Sequence, residues 1–206
     1  MDKTTADPSN IIVVEDFMNK EDIHSVMSYL TTITFWAKTS GEILSYNKIC
    51  KTHPEVCNLM AGYFDKIKAI LEFKFAKKFE KPQVGIFKML PGELLHPHSD
   101  TETIDGLPRN NYSIDYSTLI HLNDDYSGGE LYFPEYDIKF KPKAGNLVIF
   151  PSNRYYLHGV AKIESKPRYT SGQFWSPTKN MILVDAARGN TTNEHIFNKF
   201  HGYEEL

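Results

Sequence analysis

The spacing of hydrophobic residues along the chain changes at about Pro82. From Pro54 to about Phe79, apolar residues recur every three or four positions, and lysines occupy the opposite face. This period predicts one long amphipathic helix that packs against a sheet. A shorter helix is predicted from Asn19 to about Leu30, because the acidic pair Glu21–Asp22 favours a helix start.

After Pro82 the chain contains short runs typical of strands, separated by clusters of Gly, Pro, Asn and Asp. Closely spaced short strands with turn signals predict an antiparallel sandwich or barrel. An earlier strand is predicted at residues 11–17. Because helices come first and most strands later, the fold class predicted is α+β with a β core. The runs are VGIFKML, YSTLIHL, GELYFP, YDIKF, NLVIF, YYLHGV and YTSGQFW.

The length of 206 residues, with 41% hydrophobic and 24% charged residues, is typical of one globular domain. The predicted division is helical support over residues 11–80, a β core over 83–177 and a C-terminal extension over 178–206. A short closing helix is expected at 193–200.

Charge and cysteine usage narrow the class of protein. The net charge of −3 argues against a general basic surface for nucleic acid. The two cysteines, Cys50 and Cys57, are too few for a disulfide framework and favour a reducing compartment. No apolar run has transmembrane length, and residues 1–10 lack the apolar centre of a signal peptide. We therefore expect a cytoplasmic protein without a membrane partner.

The segment LLHPHSD places His98 and Asp100 two residues apart. In a strand, residues i and i+2 point to the same face, so one imidazole and one carboxylate could bind one metal ion. His158, in YYLHGV near a later strand end, is the candidate third ligand. Two histidines and one carboxylate, with open positions on the metal, are typical of non-haem iron(II) oxygenases. His96 is the competing ligand to His98, and we interpret it as a supporting residue.

Arg168 follows His158 by ten residues. A dicarboxylate cosubstrate needs a fixed cation at its far end, and the arginine fork matches a carboxylate. The alternative is an ordinary surface charge, but the offset from His158 favours the binding role. If the cation lay elsewhere, Lys166 or Lys162 would be the next candidates.

These motifs occur in a fixed order and resemble the prolyl hydroxylase-like branch of the 2-oxoglutarate and Fe(II)-dependent oxygenase superfamily. The motifs are HPHSD, LNDDYSGGELYFP, KPKAGNLVIFPS, LHGV and RYTSGQFW, within residues 83–177. The resemblance implies a double-stranded β-helix, or jelly roll, braced by the N-terminal helices. It matches His98, Asp100 and His158 to the metal ligands and Arg168 to the cosubstrate-binding base. It also implies Fe(II), 2-oxoglutarate and O2, with ascorbate as an optional addition.

The chain departs from the family pattern at two positions. Phe174 stands six residues after the base, where an aromatic residue is usual, and Trp175 follows it. His121 stands where the family often has tyrosine. We list His121 and Trp175 among the expected substrate contacts, although His121 is also consistent with an ordinary strand residue.

The polar stretch at residues 101–116 directly follows the ligand segment. It is either a mobile surface loop or a lid over the metal, and long functional loops are known exceptions to the short-loop rule. Arg109, Tyr112 and Tyr116 are the substrate contacts expected from it.

The leading substrate is a prolyl residue in a peptide or protein. A hydroxylase of a free amino acid or other small molecule would share every motif. A nucleic-acid demethylase of the AlkB type would carry a second arginine shortly after Arg168, which YTSGQFW lacks. A non-catalytic jelly-roll binding module would usually have lost a ligand, and here none is missing.

Overall fold

The computed structural model describes residues 6–39 and 41–178, so the predicted closing helix at 193–200 lies outside the described residues. Three α-helices and thirteen strands are found in the described part of the chain. The helices are α1 (Lys20–Leu30), α2 (Tyr46–Thr52) and α3 (Pro54–Phe75). The strands are β1 (Ile12–Val14), β2 (Ala37–Thr39), β3 (Gly41–Ser45), β4 (Gln83–Met89), β5 (Leu95–His98), β6 (Tyr116–His121), β7 (Ser127–Gly128), β8 (Leu131–Phe133), β9 (Ile138–Phe140), β10 (Leu147–Pro151), β11 (His158–Val160), β12 (Ile163–Ser165) and β13 (Arg168–Trp175).

The strands form antiparallel sheets. A seven-stranded sheet has the order β1-β10-β6-β13-β4-β3-β2, a four-stranded sheet has the order β5-β11-β8-β9, and β12 pairs with β7. Every pairing between described strands is antiparallel. The predicted mixture of helices with antiparallel strands is therefore confirmed.

Side chains of the helices share a buried core with one face of the seven-stranded sheet, which we call the outer face. Ile67 and Leu71 of α3 share a buried core with Ile86 of β4, Ile120 of β6 and Trp175 of β13. α1 begins where predicted, because the side chain of Asn19 accepts a hydrogen bond from the backbone N–H of Asp22 at 2.8 Å. α3 ends at Phe75, a few residues earlier than predicted, where Ala76 adopts a left-handed conformation with φ of 49°.

The opposite, inner face of the seven-stranded sheet points towards the four-stranded sheet. Leu131 and Phe133 of β8 pack there against Val148 and Phe150 of β10. Alternate residues of each strand share this face. The inner face includes Gly85, Phe87 and Met89 of β4, Ser117, Leu119 and His121 of β6, and Arg168, Thr170, Gly172 and Phe174 of β13.

The two cysteines correct the sequence-based prediction. Cys50 in α2 and Cys57 in α3 form a disulfide, with their Cα atoms 4.9 Å apart. The chain reverses at His53 and Pro54, between the two helices. The start of α3 therefore lies beside α2. The two cysteines therefore give no support to a reducing compartment.

None of the helices in the described residues combines the length and the apolar character needed to cross a membrane.

Candidate metal and cosubstrate site

The three predicted metal ligands converge at one end of the space between the two sheets. One ligand atom from each of His98, Asp100 and His158 lies within 4.8 Å of the other two. β5 and β11 bring the imidazoles together, because His98 and His158 are directly opposite each other in the antiparallel register. Asp100 lies in the turn just after β5 rather than on the strand itself. The i, i+2 spacing still presents both side chains to the same point.

The backbone orients both imidazoles in the same way. His98 Nδ1 lies 2.9 Å from the carbonyl of His96, and His158 Nδ1 lies 3.2 Å from the carbonyl of Tyr156. A carbonyl can only accept, so each Nδ1 carries the proton and each Nε2 keeps its lone pair. The Nε2 atoms face Asp100, at 3.5 Å from Oδ1 for His98 and 3.8 Å from Oδ2 for His158. This arrangement suits a divalent metal ion bound by two imidazoles and one carboxylate.

A buried group of hydroxyls fixes Asp100, and the sequence motifs gave no indication of it. Ser117 Oγ on the inner face of β6 donates to Asp100 Oδ2 at 2.5 Å and contacts Ser152 Oγ at 2.8 Å. The side chains of Ser99 and Thr101, on either side of Asp100, both donate to the carbonyl of Ser152. The turn that carries the carboxylate is thus bound to the sheet on both sides.

The electrostatics of the three ligands favour an ionised carboxylate beside a neutral imidazole. Burial raises the pKa of Asp100, but His158, His98 and the Ser117 hydroxyl outweigh it, and the net shift is downward. Burial lowers the pKa of His158 below its ordinary value, against the attraction of Asp100. Burial also opposes the charged form of His98, but Asp100 and the His96 carbonyl raise its pKa overall. Deprotonated nitrogens and a carboxylate are the forms that bind metal.

Arg168 is buried on the inner face, 3% exposed, and has no acidic partner among the described residues. Its Nη1 has only a long contact, 3.9 Å, with the sulfur of Met89. Its Nε and Nη2 are buried without a hydrogen-bond partner in the described part of the chain. Burial lowers the pKa of this guanidinium, and Tyr126 counteracts the shift. An unpaired buried cation is costly, so a bound anion would stabilise this position strongly.

Two further polar groups lie beside Arg168 and lack partners within the described residues. Both ring nitrogens of His121, which is fully buried, are unsatisfied, as is the hydroxyl of Tyr126. Burial and the charge of Arg168 hold the pKa of His121 well below its ordinary value, so the imidazole is neutral. Together with Arg168 they offer several unsatisfied donors in one buried region. Such a set of unsatisfied atoms fits the far carboxylate of a dicarboxylate such as 2-oxoglutarate.

The predicted lid, residues 101–116, has a defined fold. Glu102 and Pro108 pair as an isolated antiparallel bridge, and Arg109 N–H donates to the carbonyl of Thr101 at 2.8 Å. The resulting hairpin, residues 102–108, also contacts the turn before His158. The backbone N–H of Arg154 donates to Glu102 Oε1 at 2.7 Å, and Gly106, with φ of 82°, lies against the Arg154 guanidinium. The hairpin thus connects the segments that carry Asp100 and His158.

The lid residues predicted as substrate contacts have different positions. Arg109 is exposed, and its charge acts on His98, so it lies near the metal site. Tyr112 lines a separate cleft of about 400 Å³ that also includes Pro108 and Lys77 but none of the metal ligands. The role of both residues stays a prediction.

The roles predicted for Tyr116 and Trp175 also stay predictions, and Tyr116 lines the same cleft as Tyr112. Tyr116 and Trp175 both lie on the outer face, because each is one residue out of phase with the inner positions of its strand. Tyr116 stacks on Phe75 of α3 with ring centroids 4.0 Å apart. Trp175 is fully buried, and its indole N–H donates to Thr118 Oγ1 at 2.9 Å. His121 is on the inner face, but beside Arg168 rather than at the metal. The side chain of His96 is exposed.

Residues 84–176 match the model of the 2OG-Fe(II) oxygenase superfamily. This match confirms the resemblance to prolyl hydroxylase-like oxygenases and supports a 2-oxoglutarate-dependent enzyme of that kind. The superfamily implies Fe(II), 2-oxoglutarate and O2.

Curated relatives of the chain include human prolyl 3-hydroxylase 2, 41% identical over 59 residues. That match spans 26% of this chain and only 8% of the human protein. A PKHD-type hydroxylase of Crocosphaera subtropica is 26% identical over 167 residues, which cover 77% of this chain and 72% of the relative.

Solved structures with a similar fold are known. The viral collagen prolyl hydroxylase of Paramecium Bursaria Chlorella virus-1, in its complex with 2OG, aligns with a TM-score of 0.62 at 16% identity, over 81% of this chain and 95% of that one. The prolyl hydroxylase of Trichoplax adhaerens, in complex with a peptide of the hypoxia inducible factor oxygen degradation domain, aligns with a TM-score of 0.65 at 15% identity. The alignment covers 84% of this chain and 86% of that one.

Proposed function

We propose that the chain is an Fe(II)- and 2-oxoglutarate-dependent dioxygenase that hydroxylates a C–H bond of a prolyl residue in a peptide or protein. The observation that carries the proposal is the pairing of two features on one side of the seven-stranded sheet. The ligand atoms of His98, Asp100 and His158 lie within 4.8 Å of one another, and a buried Arg168 without an anion partner lies on the same inner face.

In this proposal each residue has a defined task. His98 Nε2, His158 Nε2 and an oxygen of Asp100 hold the iron, and Ser117 keeps the carboxylate in place. Arg168 binds the far carboxylate of 2-oxoglutarate, while neutral His121 and Tyr126 donate further hydrogen bonds. When bound, iron and 2-oxoglutarate supply the oxidising chemistry, in which decarboxylation to succinate is coupled to O2 reduction and C–H hydroxylation. The protein supplies orientation and a dry pocket.

The wider assignment rests on the comparisons and the sequence motifs. The relatives that carry prolyl hydroxylase names support a prolyl substrate, and the Trichoplax structure, whose complex contains a peptide, supports a polypeptide one. We also propose that residues 83–177 form a double-stranded β-helix within a single oxygenase domain spanning 1–206. A cytoplasmic location, the helical bracing and a benefit from ascorbate stay predictions.

The decisive experiment compares histidine variants. His98→Ala and His158→Ala should abolish succinate formation from 2-oxoglutarate, because each removes one ligand of three, while the far-ultraviolet circular dichroism stays that of the parent. The protein is reconstituted with iron under anaerobic conditions and then exposed to air. The matched control is His96→Ala, since this exposed imidazole lies two residues from His98 and only its carbonyl contacts the site. Parent-like turnover in His98→Ala or His158→Ala would contradict the metal assignment.

The substrate part is tested separately by mass spectrometry. Parent protein should add 16 Da to proline-containing peptides or to a protein in a cell lysate. If it modifies free amino acids and ignores every peptide, the enzyme is a small-molecule hydroxylase instead.

A further inference from the structure

The hydroxyl of Tyr156 joins the beginning of the described chain to the turn that precedes His158. It donates a hydrogen bond to the backbone carbonyl of Asp7 at 3.0 Å and accepts one from the backbone N–H of the same residue at 3.0 Å. It accepts another from the side-chain amide of Asn10 at 3.1 Å. A phenol has one proton to donate and two lone pairs. This buried hydroxyl is therefore fully satisfied by partners that lie 149 and 146 residues away along the chain.

Residues 7–10, which we call the clasp, have a local structure of their own. Pro8–Asn10 form a short 3-10 helix, and the Asp7 side chain caps it by accepting a hydrogen bond from the backbone N–H of Ser9 at 2.8 Å. The chain continues from the clasp into β1, which pairs with β10. The Tyr156 hydroxyl is therefore bound to a folded segment that the seven-stranded sheet holds in place.

Tyr156 also contacts His158, through its backbone. Its carbonyl accepts the Nδ1–H of His158 at 3.2 Å, and this contact directs Nε2 towards Asp100. Tyr156 is the last residue of the short 3-10 helix Arg154–Tyr156. The pairing of β11 with β5 begins only at His158, so no pairing between described strands fixes the backbone just before the imidazole. The direction of the carbonyl depends instead on how the turn is held.

The ring of Tyr156 is held from the side as well as at its tip. Tyr136 packs against it, with ring centroids 5.4 Å apart, and the Tyr136 hydroxyl donates to the carbonyl of Tyr155 at 2.9 Å. A tyrosine side chain has only two rotatable χ angles, so a ring fixed at tip and side also restricts the backbone that carries it. The carbonyl that orients His98 belongs to His96, whose side chain is exposed. The two imidazoles are thus held in different ways.

We infer that Tyr156 is a positioning residue for the metal site, and that the clasp orients the His158 imidazole through it. Groups that hold a ligating imidazole by its other nitrogen direct its lone pair at the ion before the ion binds. Without the hydroxyl contacts, the turn and its carbonyl would rotate more freely, and His158 Nε2 would be directed at Asp100 for less of the time. The inference rests on the proposed function, because it needs His158 to bind the metal ion.

Two substitutions and one matched control test this role. Tyr156→Phe removes the hydroxyl and keeps the ring, and Asn10→Ala removes one of the hydrogen bonds from the other side. The control is Tyr63→Phe, because the hydroxyl of this buried tyrosine also joins two distant segments, donating to Asp22 Oδ2 at 2.6 Å. Tyr63 belongs to the buried core of the outer face, which contains none of the metal ligands. Thermal unfolding with a chelator present measures the stability that each substitution removes.

The probe is Co(II), whose visible absorption reports the geometry of its ligands. The Kd of Co(II) and the spectrum at saturation are measured for each variant and for the double variant Tyr156→Phe with Asn10→Ala. Tyr156→Phe should change the spectrum and weaken Co(II) binding about tenfold, the lower end of the effect of removing a partner of a ligating histidine. Asn10→Ala should act in the same direction and add nothing in the double variant, because both changes act through one hydroxyl. Tyr63→Phe should lose stability but keep the Kd and the spectrum of the parent.

Parent-like Co(II) affinity and spectrum in Tyr156→Phe would overturn the inference and leave the proposed function intact. An equal loss of affinity in Tyr63→Phe would overturn it as well, because general destabilisation would then explain the effect. Additive losses in the double variant would mean that Asn10 does not act through the Tyr156 hydroxyl, and the role of the clasp would be wrong. If the parent binds Co(II) no better than His158→Ala does, the metal site of the proposed function itself fails.

Discussion

Arg168 shows how unsatisfied buried atoms mark a candidate binding site. Its guanidinium is buried on the inner face, and none of the described residues provides a carboxylate partner for it. Neighbouring His121 and Tyr126 are unsatisfied as well, and in the described part of the chain the unpaired atoms at this end of the face belong to these three side chains. Native interiors leave few such atoms unpaired. A bound ligand would explain why these unpaired atoms lie close together.

The role of Arg168 leads to a prediction about affinity. Arg168→Ala should raise the KM for 2-oxoglutarate, because a charge-assisted pair contributes about 1.5–3 kcal/mol, roughly ten- to more than a hundredfold. Arg168→Lys should retain part of the activity, since lysine supplies the charge without the fork. The measurement is succinate formation against 2-oxoglutarate concentration. An unchanged KM in both variants would mean that another cation, Lys166 or Lys162, binds the far carboxylate of 2-oxoglutarate. The KM of variants of those two lysines would then be measured.

At the scale of structural elements, the hairpin at residues 102–108 joins the two ligand-bearing segments. It follows Asp100 directly, and Glu102 accepts a hydrogen bond from the turn that precedes His158. Its tip presents Ile104 and Leu107 to solvent at 73% and 64% exposure. A structured hairpin with an apolar tip beside a metal site is the form expected of a substrate-covering element.

Replacing residues 103–110 with a short Gly/Ser linker should therefore damage peptide hydroxylation far more than binding of iron or 2-oxoglutarate. Succinate formed without hydroxylated peptide should rise as a share of turnover, because water reaches the site more easily. Both products are measured in the same tube. The control changes only Ile104 and Leu107 to serine, which leaves the backbone hydrogen bonds of the hairpin in place and should have a smaller effect. Full, coupled hydroxylation after the linker replacement would contradict a lid.

For the whole molecule, local spacing predicted the parts of the site that lie close together in sequence. His98 and Asp100 share a segment. The hydrophobic residues of α3 and of the strands in the β core recur with clear periods. The strand β2 and the helix α2 were not predicted, because each is too short to establish a period. Pairing of Cys50 with Cys57 depends on the turn at His53, which the thiol count does not reveal.

The contacts that the sequence did not predict join residues that are far apart along the chain. Ser117 reaches Asp100, and Tyr126 reaches Arg168, only after the strands assemble, and no local motif marks either contact. Tyr116 and Trp175 are predicted substrate contacts, and strand parity puts both on the outer face. Counting in steps of two from Arg168 selects Phe174 instead of Trp175. Parity therefore identifies the inner face from sequence once one functional residue of a strand is known.

Stability of the whole fold should depend on pH through His121. Its pKa in the folded protein lies well below the ordinary value near 6.5, because it is buried beside the Arg168 charge. As the pH falls below about 6.5, the unfolded chain takes up a proton on this residue and the folded protein does not. The free energy of unfolding should therefore fall towards acid, by at most about 1.4 kcal/mol per pH unit for this one group.

The His121→Gln variant isolates that contribution, because glutamine is polar and does not titrate. Urea unfolding is measured from pH 7.5 to 5.5 with a chelator present, which removes any metal bound by the triad. Parent protein should lose more stability over this range than the variant. The other buried groups, His158 and Asp100 among them, are common to both proteins and largely cancel in the difference. Equal pH slopes would mean that His121 binds its proton as readily in the folded chain as in the unfolded one, and the dry, cation-lined pocket inferred around Arg168 would then be wrong.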